Sequence, residues 1–136
     1  MPDEKGDQQY NDFFNLFNSI NDATFVHDLK GNFLEINDTA ASRLGYSKDE
    51  LLSMGPQNID SPEYAEKIAD KIKKINKHKE LTFESVHITK NGERIPVEIN
   101  SKIIHYRNQL AILSIARQLL TAKAVSLSFH LLTNRS

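Results

Sequence analysis

One stretch near the middle of the chain decides the fold: Leu44-Gly45-Tyr46-Ser47-Lys48-Asp49-Glu50-Leu51-Leu52. Gly45 is expected to end a helical turn, because glycine adopts the left-handed conformation that closes a helix without steric cost. Ser47 and Glu50 stand at the spacing of a capping box, in which each side chain accepts a hydrogen bond from the other residue's backbone N–H. The stretch therefore predicts two short helices that meet near Gly45.

Two strands are predicted before this stretch, over residues 24–28 and 32–37, which are rich in β-branched and aromatic residues. Gly31, in the turn between them, supplies the positive φ of a hairpin. Asp38 can cap the helix that Gly45 ends, and Asn37, at the end of the second strand, can also cap it and tie the two elements together. The two strands therefore pair antiparallel and lead directly into the helices.

A longer helix and three more strands are predicted after the stretch. Ser61 is the expected N-cap of this helix. Its apolar stripe follows at steps of four, four and three, and consists of Tyr64, Ile68, Ile72 and Ile75. Strands at 81–89 and 93–106 flank the hairpin signal Lys90-Asn91-Gly92, and the last strand covers 110–116. Because the helices lie together between strands two and three, the fold class is α+β.

The two ends of the chain differ from this central region. Residues 1–9 are predicted to be a flexible lead, and residues 10–20 an amphipathic helix with several aromatic side chains on one stripe. The last strand is apolar on both faces, so its outer face must be covered by this helix or by a partner. Two alternatives stay open, docking of the helix on its own domain and a homodimer. The candidate dimer-interface residues are Phe13, Phe17, Ile20, Leu113 and Ile115.

Composition limits the classes of function. The 136 residues predict one domain, and the absence of cysteine excludes disulfide frameworks and any cofactor held by a thiol. A net charge of −1 argues against a nucleic-acid partner. No apolar run approaches the length of a membrane span and the N-terminus is too polar for a secretion signal, so a cytoplasmic location is expected. Without clustered glycines or paired histidines, neither catalytic residues nor metal ligands are predicted.

Two histidines on strands are the most informative polar residues. Strand periodicity places His27 on one face with Phe25, and it places His87 on one face with Phe83 and Ser85. A buried polar group without a partner costs roughly 1–3 kcal/mol, so each imidazole should contact a polar side chain or a ligand. Two interpretations stay open, a satisfied core histidine and a histidine in a ligand pocket.

Over roughly residues 10–117 the pattern resembles the PAS family of sensory domains. The resemblance rests on five segments: Asn21–Asp28, Gly31, Glu35–Ala41, Leu44–Leu52 and Lys90–Glu93. It implies a PAS domain over residues 21–117, with a five-stranded antiparallel sheet in the order 2-1-5-4-3 and helices over one face. Members of the family act as input modules of sensor kinases, cyclases and transcription regulators. They bind small ligands between the sheet and the helices, or they mediate dimers.

The resemblance also implies where a ligand would bind. The candidate ligand-binding residues, inside the cup between sheet and helices, are Phe25, His27, Ile68, Ile72, Ser85, His87, Val97 and Ile99. Their mostly apolar character predicts a small ligand with one or two polar groups and argues against a dinucleotide. Covalently bound flavin and thiol-linked chromophores are excluded because both need a cysteine. Haem is disfavoured because His78, the nearest candidate ligand, stands at the helix end between lysines. The cofactor is otherwise unknown.

Three functions remain open at this point. The first is a sensory module of a signal-transduction protein such as a sensor histidine kinase, non-enzymatic in this chain, that binds a small ligand or dimerises. The second is a structural dimerisation domain whose interior is filled by its own side chains. The third is a small enzyme with His27 or His87 as general base. Residues 118–136 depart from the family, because an atypical tail with period-two alternation stands where members carry a signalling helix.

Overall fold

The computed structural model describes residues 4–119, which form six helices and five strands. In chain order these elements are α1 (Glu4–Ser19), β1 (Ala23–Asp28), β2 (Phe33–Ile36), α2 (Asp38–Leu44), α3 (Lys48–Leu52), α4 (Pro56–Ile59), α5 (Pro62–Ala65), α6 (Ile68–His78), β3 (Glu80–Ile88), β4 (Arg94–Tyr106) and β5 (Gln109–Gln118). In this part of the chain no helix is both long enough and apolar enough to cross a membrane.

The five strands form one antiparallel sheet in the order β2-β1-β5-β4-β3. Short turns join β1 to β2, β3 to β4 and β4 to β5, and the two strands on either side of each turn pair with each other. In addition, β1 pairs with β5. The first and last strands therefore lie side by side in the middle of the sheet. The predicted α+β class and strand order are confirmed.

The core lies between the inner face of the sheet and the helices that separate β2 from β3. Leu44 and Leu51 project from α2 and α3, and both are fully buried. They belong to one apolar cluster with Phe25 and Val97 of the sheet. Burial of such a side chain stabilises the fold by roughly 1.5–3 kcal/mol, so this cluster holds the helices over the sheet.

The caps around the central stretch follow the sequence analysis. Gly45 closes α2 with a φ of 77°, and Ser47 and Glu50 form the expected capping box at the start of α3. Of the two candidate N-caps of α2, Asn37 and not Asp38 is the cap, because its Oδ1 accepts a hydrogen bond from the backbone N–H of Ala40. Asp38 is the first residue of the helix, where a carboxylate favours the positive end of the helix dipole.

Two predicted helices have different bounds in the structure. The helix α1 begins at Glu4, so most of the predicted flexible lead 1–9 is helical; its polar residues gave no apolar period from which a helix could be recognised. The single helix expected from residue 61 is divided into α5 and α6, and Ser61 makes no side-chain capping hydrogen bond. Instead, the Ser61 backbone N–H donates to the Val86 carbonyl of β3. The predicted tail lies outside the described residues from residue 120 onwards.

The loop before α4 approaches the β1–β2 turn so closely that only glycine fits at residue 55. A Cβ built on Gly55 would lie 1.7 Å from the carbonyl oxygen of Gly31. The neighbouring Met54 carbonyl accepts a hydrogen bond of 2.9 Å from the N–H of Phe33. These contacts bring α4 against the hairpin and so close one side of the cup.

Candidate functional site

A cavity of about 40 Å³ lies between the inner face of the sheet and the helices α4 to α6. By volume it has room for roughly three water molecules. Its wall is mostly apolar and consists of Phe25, His27, Phe33, Pro56, Ile59, Asp60, Ile68, Lys71, Ile72, Ile75, Phe83, His87, Ile99, Ser101, Ser114 and Ala116. The cavity therefore occupies the place where the sequence analysis expects a ligand.

Six of the eight candidate ligand-binding residues line this cavity and two do not. Those in the wall are Phe25, His27, Ile68, Ile72, His87 and Ile99. Ser85 and Val97 face each other across β3 and β4 and are buried, but neither belongs to the wall. Ser85 and Val97 are kept out of the wall by a contact between distant parts of the chain. The segment at Asp60 and Ser61 pairs with β3 next to Ser85 and covers this part of the sheet.

Two charged residues in the wall were missed by the sequence analysis. Asp60 pairs with His87 in an isolated β-bridge, and its Oδ1 lies 3.4 Å from His87 Nε2, with both side chains at most 4% exposed. Lys71 lies off the apolar stripe of its helix, yet it lines the cavity with its Nζ 4.1 Å from the ring centroid of Phe83. No local pattern marks either residue, because only the pairing with β3 and the packing of α6 turn them inward.

Burial shifts the titratable groups of the cavity towards their neutral forms. It raises the pKa of Asp60 to about 7, although the charge of Lys71 and the Ser85 hydroxyl act in the opposite direction. Burial, followed by the charge of Arg43, lowers the pKa of His87 to about 4. Burial also lowers the pKa of His27, against an opposing hydrogen bond with the carbonyl of Asp28. Near neutral pH both imidazoles are therefore uncharged.

Some polar atoms beside the cavity lack partners. Among the described side chains, the buried atoms without a well-formed hydrogen bond are Ser61 Oγ, Ser85 Oγ and His87 Nδ1. By contrast, His27 Nδ1 lies 2.8 Å from the Asp28 carbonyl oxygen, and the hydroxyls of Ser101 and Ser114 lie 2.7 Å apart. Buried polar groups are nearly always satisfied by protein or water. Ser85 Oγ is close enough to Asp60 to act on its pKa, and of the three atoms only His87 Nδ1 belongs to a residue of the cavity wall. His87 Nδ1 therefore marks where a water or a ligand would bind.

A second, wholly apolar groove lies on the opposite face of the sheet, between that face and α1. It has a volume of about 240 Å³, and its wall includes all five candidate dimer-interface residues, Phe13, Phe17, Ile20, Leu113 and Ile115. Phe17 is 5% exposed, whereas Phe13 and Leu16 are 40% and 70% exposed. The helix thus covers its own sheet with one aromatic side chain and presents other apolar side chains to solvent.

Among the described side chains, those of residues 8–119, no group of three or more histidine, aspartate or glutamate residues is arranged to hold a metal ion. The arrangement instead offers hydrogen bonds, one buried carboxyl group and one ammonium group around a small apolar space.

Comparisons with known proteins agree with this architecture. A family model described as a PAS domain matches residues 21–116. A methyl sulfide methyltransferase-associated sensor of Methanosarcina acetivorans is 30% identical over 122 residues, which are 89% of this chain and 12% of that protein. The chain therefore spans only a small part of this relative.

Solved structures show the same fold. The PAS domain of an HTR-like protein from Haloarcula marismortui superimposes with a TM-score of 0.78 at 21% identity, covering 85% of this chain and 96% of that one. A domain of a sensor histidine kinase/response regulator from Geobacter sulfurreducens has a TM-score of 0.69 at 28% identity, covering 84% and 97% of the two chains.

Proposed function

The chain belongs to the PAS domain family, and from this membership we propose that it is a sensory module whose cup binds a small ligand. The observation that carries the proposal is His87, a buried imidazole in the cavity wall whose Nδ1 has no partner. Leaving such a nitrogen unsatisfied costs roughly 1–3 kcal/mol, which a ligand with one complementary polar group would recover. The apolar remainder of the wall suits a ligand that is otherwise apolar.

The size of the cavity supports a small ligand rather than a large cofactor. Sites for drug-sized ligands usually have roughly 300–1,000 Å³, well above the 40 Å³ of this cavity. Flavin and haem are therefore poor candidates unless the helices move apart. The alternative proposal, a structural domain with a self-filled core, draws support from the same small volume but leaves His87 Nδ1 unexplained.

We also propose that His87 does not act as a general base. A general base is most effective when its pKa lies near the working pH, and burial lowers the pKa of His87 to about 4. Relatives with sensor and histidine-kinase names make a two-component sensor the proposed context. The output activity would then belong to a longer protein, and the predicted cytoplasmic location stays a prediction.

Dimerisation is the second proposed role, and the exposed side chains of α1 favour it. Phe13 and Leu16 stand at the edge of the apolar groove, beside the outer face of the sheet. A second copy that covered them would remove apolar surface from water at roughly 25 cal/mol per Å². Ligand binding on one face of the sheet and association on the other are compatible.

The ligand proposal is tested by thermal unfolding of wild type and His87→Phe in a metabolite screen. We expect at least one small compound to raise the melting temperature of wild type, and His87→Phe to abolish that rise while its own melting temperature stays near the original. His105→Phe is the matched control, because His105 is exposed and remote from the cavity wall. If no compound stabilises wild type and His87→Phe melts several degrees lower, His87 is a core residue and the proposal is wrong.

A further inference from the structure

Three side chains form a polar corner in a cavity whose remaining wall is mostly apolar: Asp60, Lys71 and His87. Asp60 Oδ1 and His87 Nε2 are 3.4 Å apart and almost wholly buried. Lys71 is half-buried, with its ammonium group against the Phe83 ring and its charge acting on Asp60. A carboxyl group and a cation therefore share one side of the cavity with an imidazole that has an open hydrogen-bonding position.

The open position is on the far side of the imidazole from Asp60. Because Nε2 faces Asp60, Nδ1 is the nitrogen left for another molecule, and it has no partner in the protein. When the Asp60 carboxyl group is protonated and donates to Nε2, the neutral imidazole carries its proton on Nδ1. The cavity wall then holds an N–H donor and an ammonium group, which are two kinds of group that bind an oxygen anion.

The charges of the corner distinguish between ligand classes. A cationic ligand would have to displace Lys71, which already acts as the counter-charge of Asp60. An anionic ligand would instead form an ion pair with Lys71 when the Asp60 carboxyl group is protonated and therefore uncharged. A neutral ligand would satisfy Nδ1 but leave the ammonium group unused. The anion is therefore the ligand that uses both Lys71 and His87.

A groove next to the cavity is positively charged. It shares Ile68 and Ile72 with the cavity wall, so the two spaces are neighbours. The groove is lined by Lys30 and Lys73, both exposed, and no acidic residue is among its wall residues. A positive surface beside the cavity raises the local concentration of anions and speeds their association.

We propose that the cavity binds a small aliphatic monocarboxylate of two to three carbons, an inference that rests on the proposed ligand-binding function. The carboxylate accepts a hydrogen bond from His87 Nδ1 and pairs with the Lys71 ammonium group. The alkyl tail lies against the apolar part of the wall, which includes Phe25 and Ile99. The volume of the cavity limits the ligand to roughly the size of three water molecules.

Binding of such an anion is linked to the uptake of one proton by the Asp60 carboxyl group. The titratable or charged groups that face Asp60 or His87, or line the same cavity, are Lys71 of α6, His27 of β1 and Arg43 of α2. The unliganded pKa of Asp60 is about 7, and a second carboxylate nearby raises it further. Above that pH, binding requires a proton that the free protein no longer holds, so the affinity falls as the pH rises.

Three isosteric probes test the ligand class: propionate, propionamide and propionamidine, which carry negative, zero and positive charge. Each is titrated into ¹⁵N-labelled protein at about pH 6 and about pH 8.5, and the dissociation constant is taken from chemical-shift changes. We expect propionate to bind most tightly, with an affinity about tenfold or more lower at the higher pH.

Variants separate the roles of the two charged residues. Asp60→Asn, which stays neutral at every pH, is expected to keep propionate binding and to lose its pH dependence. Lys71→Gln is expected to weaken propionate binding about tenfold, while Lys74→Gln, an exposed position on the same helix, leaves it unchanged. Chemical shifts of the unliganded variants show whether each one is folded.

Several outcomes would overturn the assignment. Tighter binding of propionamide or propionamidine, a propionate affinity that does not fall with pH, or binding by none of the probes each contradicts the carboxylate class. Binding of the amide or the amidine would still leave the proposed ligand-binding function in place. That function fails only if the metabolite screen also finds no compound that stabilises wild type.

Discussion

At the scale of single residues, Asn37 connects three of the first elements of the domain by hydrogen bonds. Its Oδ1 accepts hydrogen bonds of 2.9 Å from two backbone N–H groups, those of Thr24 and Ala40. Its Nδ2 donates to carbonyl oxygens at the end of α1 and in the turn that follows, those of Phe17, Ile20 and Asp22. One fully buried amide thus joins α1, β1 and α2, which an ionised carboxylate would not do, because the site needs donors as well as acceptors.

Replacing Asn37 with alanine is expected to lower the free energy of unfolding by about 3 kcal/mol or more, because several buried backbone groups lose their partner. Chemical denaturation measures this loss. Asn76→Ala is the control: Asn76 is exposed on α6, and its replacement should change stability by less than about 0.5 kcal/mol. A loss below about 1 kcal/mol for Asn37→Ala would show that water replaces the amide.

At the scale of elements, the short segment between α4 and α5 changes the chemistry of the cup. It pairs with β3 through the bridge of Asp60 to His87 and through the hydrogen bond from Ser61 N–H to Val86. This pairing buries a carboxyl group beside an imidazole. Between about pH 4 and about pH 6.5 the two groups affect stability in opposite directions, because the fold favours the protonated carboxyl group and the neutral imidazole.

The two contributions are separated by single substitutions. In Asp60→Asn, His87 is the one of the two groups that is left. Over this pH range its imidazole is protonated in the unfolded state and neutral in the native state. The free energy of unfolding of this variant therefore rises with pH more steeply than that of wild type. In His87→Gln, Asp60 is the one of the two groups that is left. Over this pH range its carboxyl group is protonated in the native state and ionised in the unfolded state. The free energy of unfolding of this variant therefore falls as the pH rises. Each slope is at most about 1.4 kcal/mol per pH unit.

Urea denaturation at a series of pH values measures both slopes. His105→Gln, an exposed histidine outside the cavity wall, is expected to follow the wild-type curve. Slopes of the same sign in the two cavity variants would contradict the predicted neutral pair.

At the scale of the whole molecule, the sheet separates two surfaces of different character. Its inner face borders the cavity with the polar corner, and its outer face borders the apolar groove beneath α1. The Nδ2 group of Asn37 donates hydrogen bonds to the carbonyl oxygens of Phe17 and Ile20, at the end of α1 and just after it. The helix that borders the proposed association surface is therefore fixed to the same sheet that forms the ligand cup.

A Leu16→Glu substitution tests the proposed association. Leu16 is 70% exposed at the apolar groove, so the change should leave the monomer folded but place a charge where a second copy would pack. We expect wild type to sediment as a dimer at tens of micromolar and the variant as a monomer, whereas Asn15→Glu, exposed on the same helix, stays dimeric. A monomeric wild type would rule out the dimer under these conditions.

Local sequence patterns were sufficient for the five strands and for the helix ends around Gly45. Gly45 and the Ser47–Glu50 box mark helix ends through backbone preferences that act within four residues. Period-two alternation placed His27 on one face with Phe25 and His87 on one face with Phe83, because a side chain's face on a strand depends only on its position. Together with the resemblance to a known family, these signals were enough for the five-stranded sheet and its order.

The tertiary structure decided which residues meet at the polar corner of the cup. Asp60 comes just before Ser61 and Pro62, where a helix start predicts an exposed carboxylate, and Lys71 lies off the apolar stripe of its helix. Neither position carries a local signal of burial, because both are turned inward by contacts with His87 and Phe83 of β3, which lie more than ten residues further along the chain. Backbone preferences are local and could be predicted, whereas the environment of a charge depends on long-range packing and could not.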